Sequence, residues 1–128
     1  MEEIQYPDWD EVCRRVNIYR DGGFTGSLFK RSCDYPKPNE ESLLREVLGD
    51  NAYALTLNRY PYDLGEGIVH HVLWMHPDCF RHMPLDYEIE RMITSLLSDD
   101  EFVWFENPRS IKSVHTIPHV QVFSRATK

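Results

Sequence analysis

The chain has 128 residues, 41% of them hydrophobic and 27% charged, values typical of one ordinary globular domain that buries a single core. Twenty-one acidic residues against fourteen basic ones give a net charge of −7, which works against non-specific binding to a nucleic-acid backbone. The longest apolar stretch, Ile68 to Met75, is broken by histidines and is far too short for a bilayer span, while Met1-Glu2-Glu3 is acidic where a secretory leader needs a cationic start. No membrane association is expected, and the expected location is cytoplasmic, with the nucleus also open.

The spacing predicts a first helix over residues 8–20, with Asp8 as cap, Glu11 three residues on, and Trp9, Val12, Val16 and Tyr19 sharing a face. From Asp21 to Pro38 the glycines and prolines leave no periodicity, so a loop that wraps over the domain, or serves as a lid, is expected. A second helix is read over 40–48, capped by Asn39, with Leu43, Leu44, Val47 and Leu48 inward and Gly49 as its stop. The pattern then turns to β. Residues 52–58 and 67–75 read as an antiparallel pair joined by a turn-rich connection, and both faces of the second strand are apolar enough to mark it as central.

A third helix is predicted over 87–97 behind Asp86, because Ile89, Met92, Ile93, Leu96 and Leu97 form a buried stripe. Two more strands, 101–105 and 119–124, flank a short turn or helix that begins at Asn107-Pro108. The expected fold is α+β, an antiparallel sheet of about four or more strands with about three helices packed against it, all in a single domain over 1–128.

Three segments carry residues that packing alone would not choose: Asn58 to Asp63, Gly67 to Trp74 with His70, and Trp104 to His119. Asn107 followed by Pro108 has the form of a helix cap and first helical residue, whose free amides suit an anion, with Arg109 and Lys112 adding charge. Basic residues gather towards that end at Arg109, Lys112, Arg125 and Lys128. His70 and His119 face one space if their strands are neighbours, and would then serve as an acid–base pair. Trp74, Trp104, Tyr60 and Tyr62 offer flat walls for a base or sugar ring. Trp74, Trp104 and Phe105 also fit a simple packing role, His70 fits a satisfied structural histidine, and Arg109 and Lys112 fit solvated surface charges.

Metal and cofactor signals are missing. His70, His71, His76 and His82 cluster in sequence, but His70 and His71 point to opposite faces of a strand and no spacing matches a zinc motif, so no metal is expected. Cys13, Cys33 and Cys79 are odd in number and far apart, hence free thiols. Neither a nucleophile elbow, nor GxGxxG, nor a Walker A loop occurs, and no cofactor is expected.

An Asn-x-aromatic-Pro-Tyr turn (Asn58, Pro61, Tyr62), an Ile-x-His strand ending in Trp (Ile68, His70, Trp74), a Trp-Phe-x-Asn segment (Trp104, Phe105, Asn107), and Ile111, Lys112, Ser113, Val114 with a late His119 make the chain similar to the fungal N-acetylglucosamine-induced proteins, which are grouped as a domain of unknown function. The likeness covers about residues 51–125, an α+β core, whereas the helical first 50 residues with their Gly/Pro-rich loop supply no motif. The family pattern has an acidic residue, Trp and Gly where this chain has Arg59, Tyr60 and Asp63, and a second His where Gln121 stands.

Three functions follow as expectations. One is a binding module for a small anionic, ring-containing ligand such as a nucleotide or sugar phosphate, held by Asn58, Tyr62, Trp74, Trp104, Asn107, Arg109, Lys112 and Ser113. The next is a hydrolase or transferase with His70 and His119 as acid and base. The last is an adaptor whose acidic surface and N-terminal arm dock a protein partner. Binding ranks ahead of catalysis because no complete catalytic constellation is visible.

Overall fold

The computed structural model describes residues 5–98 and 100–127, so Met1, Glu2, Glu3 and the terminal Lys128 lie outside the described residues. Among the described residues the element order is α1 (Trp9–Arg20), α2 (Glu40–Val47), β1 (Tyr53–Leu57), β2 (Val69–Met75), α3 (Asp86–Leu97), β3 (Glu101–Phe105) and β4 (His119–Arg125), with a 3-10 turn at Arg109–Ile111. The architecture is α+β: three α-helices and one four-stranded, wholly antiparallel sheet in the order β1-β2-β4-β3. The last strand in sequence enters between β2 and β3, so the two central strands are far apart along the chain.

Helix starts follow local chemistry. Asp8 takes the amide of Glu11 at 2.9 Å and Asn39 that of Ser42 at 3.0 Å, each satisfying one of the free donors of a first turn. The Glu11 carboxylate does not complete a capping box; it binds Arg14 and Arg15 on the next turn instead. At α3 the expected cap is displaced by one residue. Leu85 holds the cap position, Asp86 lies in the first turn, and the Glu88 carboxylate reaches back to the Leu85 amide at 3.3 Å.

Strand parity divides the core into two layers. One sheet face carries Leu73, Met75, Val120, Val122 and Trp104, packed against Ile89, Met92 and Ile93 of α3. The other face carries Phe105 and Phe123 under Val12 and Val16 of α1, and Val72 and Trp74 under α2 through Leu43, Leu44 and Val47. Both faces are therefore covered, as the two apolar sides of β2 require.

The aperiodic segment after α1 is pinned into the core. Phe29 is buried, 5.0 Å from the Tyr62 ring and 5.2 Å from that of Phe123, while Tyr19 Oη donates to Gly26 O and accepts from the Leu28 amide. Burying one such ring contributes about 2–3 kcal/mol. Downstream, Ser32 donates twice to the Asp63 carboxylate, and Asp63 N–H donates to Lys30 O. The segment thus becomes a strap across one sheet face. Among the described residues no helix is long and apolar enough to cross a membrane, and the three cysteines are free.

Candidate functional site

A cavity of about 410 Å³ opens on the α1/α2 face of the sheet. Its floor is Val72 and Trp74 of β2 with His119 and Gln121 of β4; its walls are the strap, α2, the turn after β1, and the segment from Asn107 to Val114. The volume lies in the range of small-molecule sites, and the lining combines apolar side chains with a few converging polar ones.

Arg31 of the strap is the most telling cation. Its guanidinium carbon stands 4.5 Å over the Tyr62 ring and 5.2 Å over that of Tyr35, and Nε donates to Tyr60 O at 2.7 Å. No carboxylate pairs with it among the described residues. Lys37 on the same strap is likewise without an acidic partner there, whereas Arg59 is neutralised by Glu46 of α2. The cavity therefore carries surplus positive charge inside a protein of net charge −7.

His119 lies at the opposite end, its ring 5.0 Å from that of Trp74. The ring Nδ1 is 2.8 Å from Ile117 O, and since a carbonyl can only accept, Nδ1 carries the proton. Burial depresses its pKa below the usual histidine value, so the ring is neutral near pH 7 and Nε2 keeps a lone pair. Among the described residues no group bonds to Nε2. Because no fully buried side-chain nitrogen or oxygen among the described residues lacks a partner, that atom opens on the cavity that His119 lines.

His70 is placed differently. The Tyr62 amide donates to its Nδ1 at 3.0 Å, which fixes the proton on Nε2, and Nε2–H donates to Gln121 Oε1 at 2.6 Å. Desolvation is the main cause of a pKa lowered to about 3. The nearby Asn58 amide, 3.4 Å from Nε2, faces a donor with a donor and so is no hydrogen bond; it reaches Gln121 Oε1 at 3.5 Å. Both ring nitrogens of His70 are spent on the fold.

The expected acid–base pair is accordingly not assembled. β2 and β4 are neighbours and both rings lie on one face, but His70 pairs with Phe123 while His119 pairs with Trp74. Four residues of strand, roughly 13 Å, separate them, and Gln121 lies between. Gln121 supplies the acceptor that fixes the proton on Nε2 of His70, whereas burial keeps that ring neutral.

The other predicted residues divide in two. Asn58, Tyr62, Trp74, Asn107 and Ser113 line the cavity with His119. Trp104 does not: it pairs with Val122, so strand parity sends its ring into the α3 layer, where Nε1 donates to Glu90 at 3.2 Å and Arg20 lies 4.0 Å over the ring. Arg109 and Lys112 line a different, more open depression with Glu106 and His115, and Lys112 is paired with Glu106 at 2.5 Å. Nor does Asn107 cap a helix. Pro108 holds that position of a three-residue 3-10 turn, and Asn107 Oδ1 accepts instead from Tyr62 Oη at 3.5 Å. A turn that short has no row of free amides to offer an anion. Arg125 lies elsewhere again, over the Trp9 ring and paired with Glu101.

Sequence reasoning missed Arg31, Tyr35, Lys37 and Gln121. The first three sit in a stretch without periodicity, where only the close spacing of Arg31, Tyr35 and Lys37 between glycines and prolines marked anything unusual. Gln121 was visible as a departure from a motif rather than as a polar residue in an otherwise apolar strand.

The model of a family described as "Protein of unknown function (DUF3605)" matches residues 9–125. The match begins at α1, so the first 50 residues, which supplied no motif to the sequence reading, are largely part of the family's pattern. No curated protein matches the chain. The crystal structure of HTC1 is similar with a TM-score of 0.63 at 17% identity, over 93% of this chain and 85% of that one, a likeness of fold.

Proposed function

The chain belongs to the DUF3605 family of proteins of unknown function, and from the charge and geometry of its cavity we propose that it binds a small anionic, ring-containing ligand of nucleotide or sugar-phosphate size. The observation that carries this reading is Arg31, a guanidinium held between two tyrosine rings with no carboxylate partner among the described residues. Cation–π contacts of this kind contribute about 0.5–2 kcal/mol each, and they hold the guanidinium fork ready for two-point pairing with a phosphate. Asn58, Tyr62, Asn107, Ser113 and Gln121 add polar groups along the same cavity. We also place the chain among the N-acetylglucosamine-induced proteins within its family, on the motif residues given above. Arg109, Lys112 and Trp104 drop out of the proposed ligand set. Catalysis by a His70–His119 pair is not favoured, because His70 has no free lone pair.

The test is a thermal-shift screen of nucleotides and sugar phosphates. A ligand at a hundred times its dissociation constant stabilises the fold by about 2.7 kcal/mol, which for a domain of this size raises Tm by roughly 5–15 °C. The shift should disappear in Arg31→Gln. Absence of any shift across both compound classes would refute the reading.

A further inference from the structure

Resting on that binding reading, we infer that the cavity recognises its ligand at two separated points: an anionic group at Arg31, and a hydrogen-bond donor on the ligand's ring delivered to Nε2 of His119. The ligand class is then a phosphorylated ring compound with an N–H or O–H on the far edge of the ring.

Two features place the points apart. Arg31 lies over Tyr62, whose ring stacks at 4.6 Å on His70, so the cation sits at the His70 end of β2. His119 pairs with Trp74 at the other end, four strand residues or roughly 13 Å from the His70 pairing. Inorganic phosphate or a simple carboxylate is too small to touch both, whereas a phosphate joined through a sugar to a ring spans that length. The chemistry at the far end is one-sided. With Nδ1–H committed to Ile117 O, Nε2 can only accept, and the surrounding Val72, Trp74 and Val114 leave a donor few other partners. A ring presenting only acceptors there would leave its own lone pair and that of His119 unmatched, which weakens binding about 10-fold or more.

The experiment is calorimetric titration of the full chain with matched pairs: uridine 5′-monophosphate and its 3-methyl analogue, inosine 5′-monophosphate and its 1-methyl analogue, and glucose 6-phosphate and its 1-deoxy analogue. The second member of each pair keeps ring and phosphate and lacks one donor. The expected result is one parent compound bound about 10-fold or more tightly than its blocked analogue. His119→Phe should bring the two within about 2-fold of each other, and His119→Gln, which keeps an acceptor, should restore part of the difference. Arg31→Gln should weaken both members alike. The wild-type comparison needs no variant to fold. Equal binding of parent and analogue by wild type, or discrimination that survives His119→Phe, overturns the inference while leaving the binding reading intact. If no ring phosphate binds at all, the binding reading itself falls, and this inference with it.

Discussion

Buried neutral histidines make the stability of this fold sensitive to mild acid, and the effect can be worked from the structure. His70 has a pKa of about 3 in the folded chain, its first cause being desolvation, against an ordinary value of 6.5. The unfolded chain therefore binds a proton that the folded chain refuses, so stability is complete above about pH 6.5 and is lost as pH falls towards 3. Between pH 7 and pH 5 this single group removes about 2 kcal/mol, at roughly 1.4 kcal/mol per pH unit once below 6.5. His119 and His71, both lowered by desolvation, act in the same direction. The window lies above the carboxylate range, so Glu11 and Glu40, whose pKa values are lowered, contribute nothing to it. Urea denaturation at half-unit steps from pH 7.5 to 5.0 should show a midpoint falling by about 1–2 M at constant slope. A midpoint that stays level across that window would mean that the two rings accept protons in place, and the argument for committed tautomers would fail.

Gln121→Met removes the acceptor of His70 Nε2–H; whichever tautomer the ring then adopts, either that proton or the Tyr62 amide loses its partner, and thermal unfolding should reveal a loss of about 1–3 kcal/mol. Gly65→Ala would set a Cβ 2.9 Å from Pro7 O and 3.3 Å from Asp8 Cα, both backbone atoms, so chemical denaturation should show a cost of about 1–3 kcal/mol. Phe29→Ala empties the anchor of the strap and should cost about 3–5 kcal/mol, with amide exchange accelerated over residues 24–35 beyond what the global loss explains. Glu40→Ala leaves the amides of His115 and Thr116 without the carboxylate oxygen that holds them at 3.0 and 2.7 Å, and a drop in Tm of a few degrees is expected.

Much of the fold was legible because periodicity is local. The stripe on α3, where only Leu96 departs by standing exposed, the caps at Asp8 and Asn39, and the alternation along β2 each depend on residues a few positions apart, and the sheet partner of β1 followed from a short connection. The same alternation correctly sent His70 and His71 to opposite faces. Applied to β3, it would also have sent Trp104 away from the cavity that receives Phe105's side of the strand; grouping Trp104 with its motif neighbours overrode that signal.

What the sequence by itself determined is which residues alternate, which repeat every three or four, and where the chain must turn, since steric and hydrogen-bonding rules within a few residues decide these. Only the tertiary structure decided that β4 enters beside β2, that the strap carries Arg31 to the sheet face, and that Gln121 separates His70 from His119. Those outcomes depend on pairings between residues dozens of positions apart, whose energy comes from burying surfaces that do not meet until the whole chain has folded.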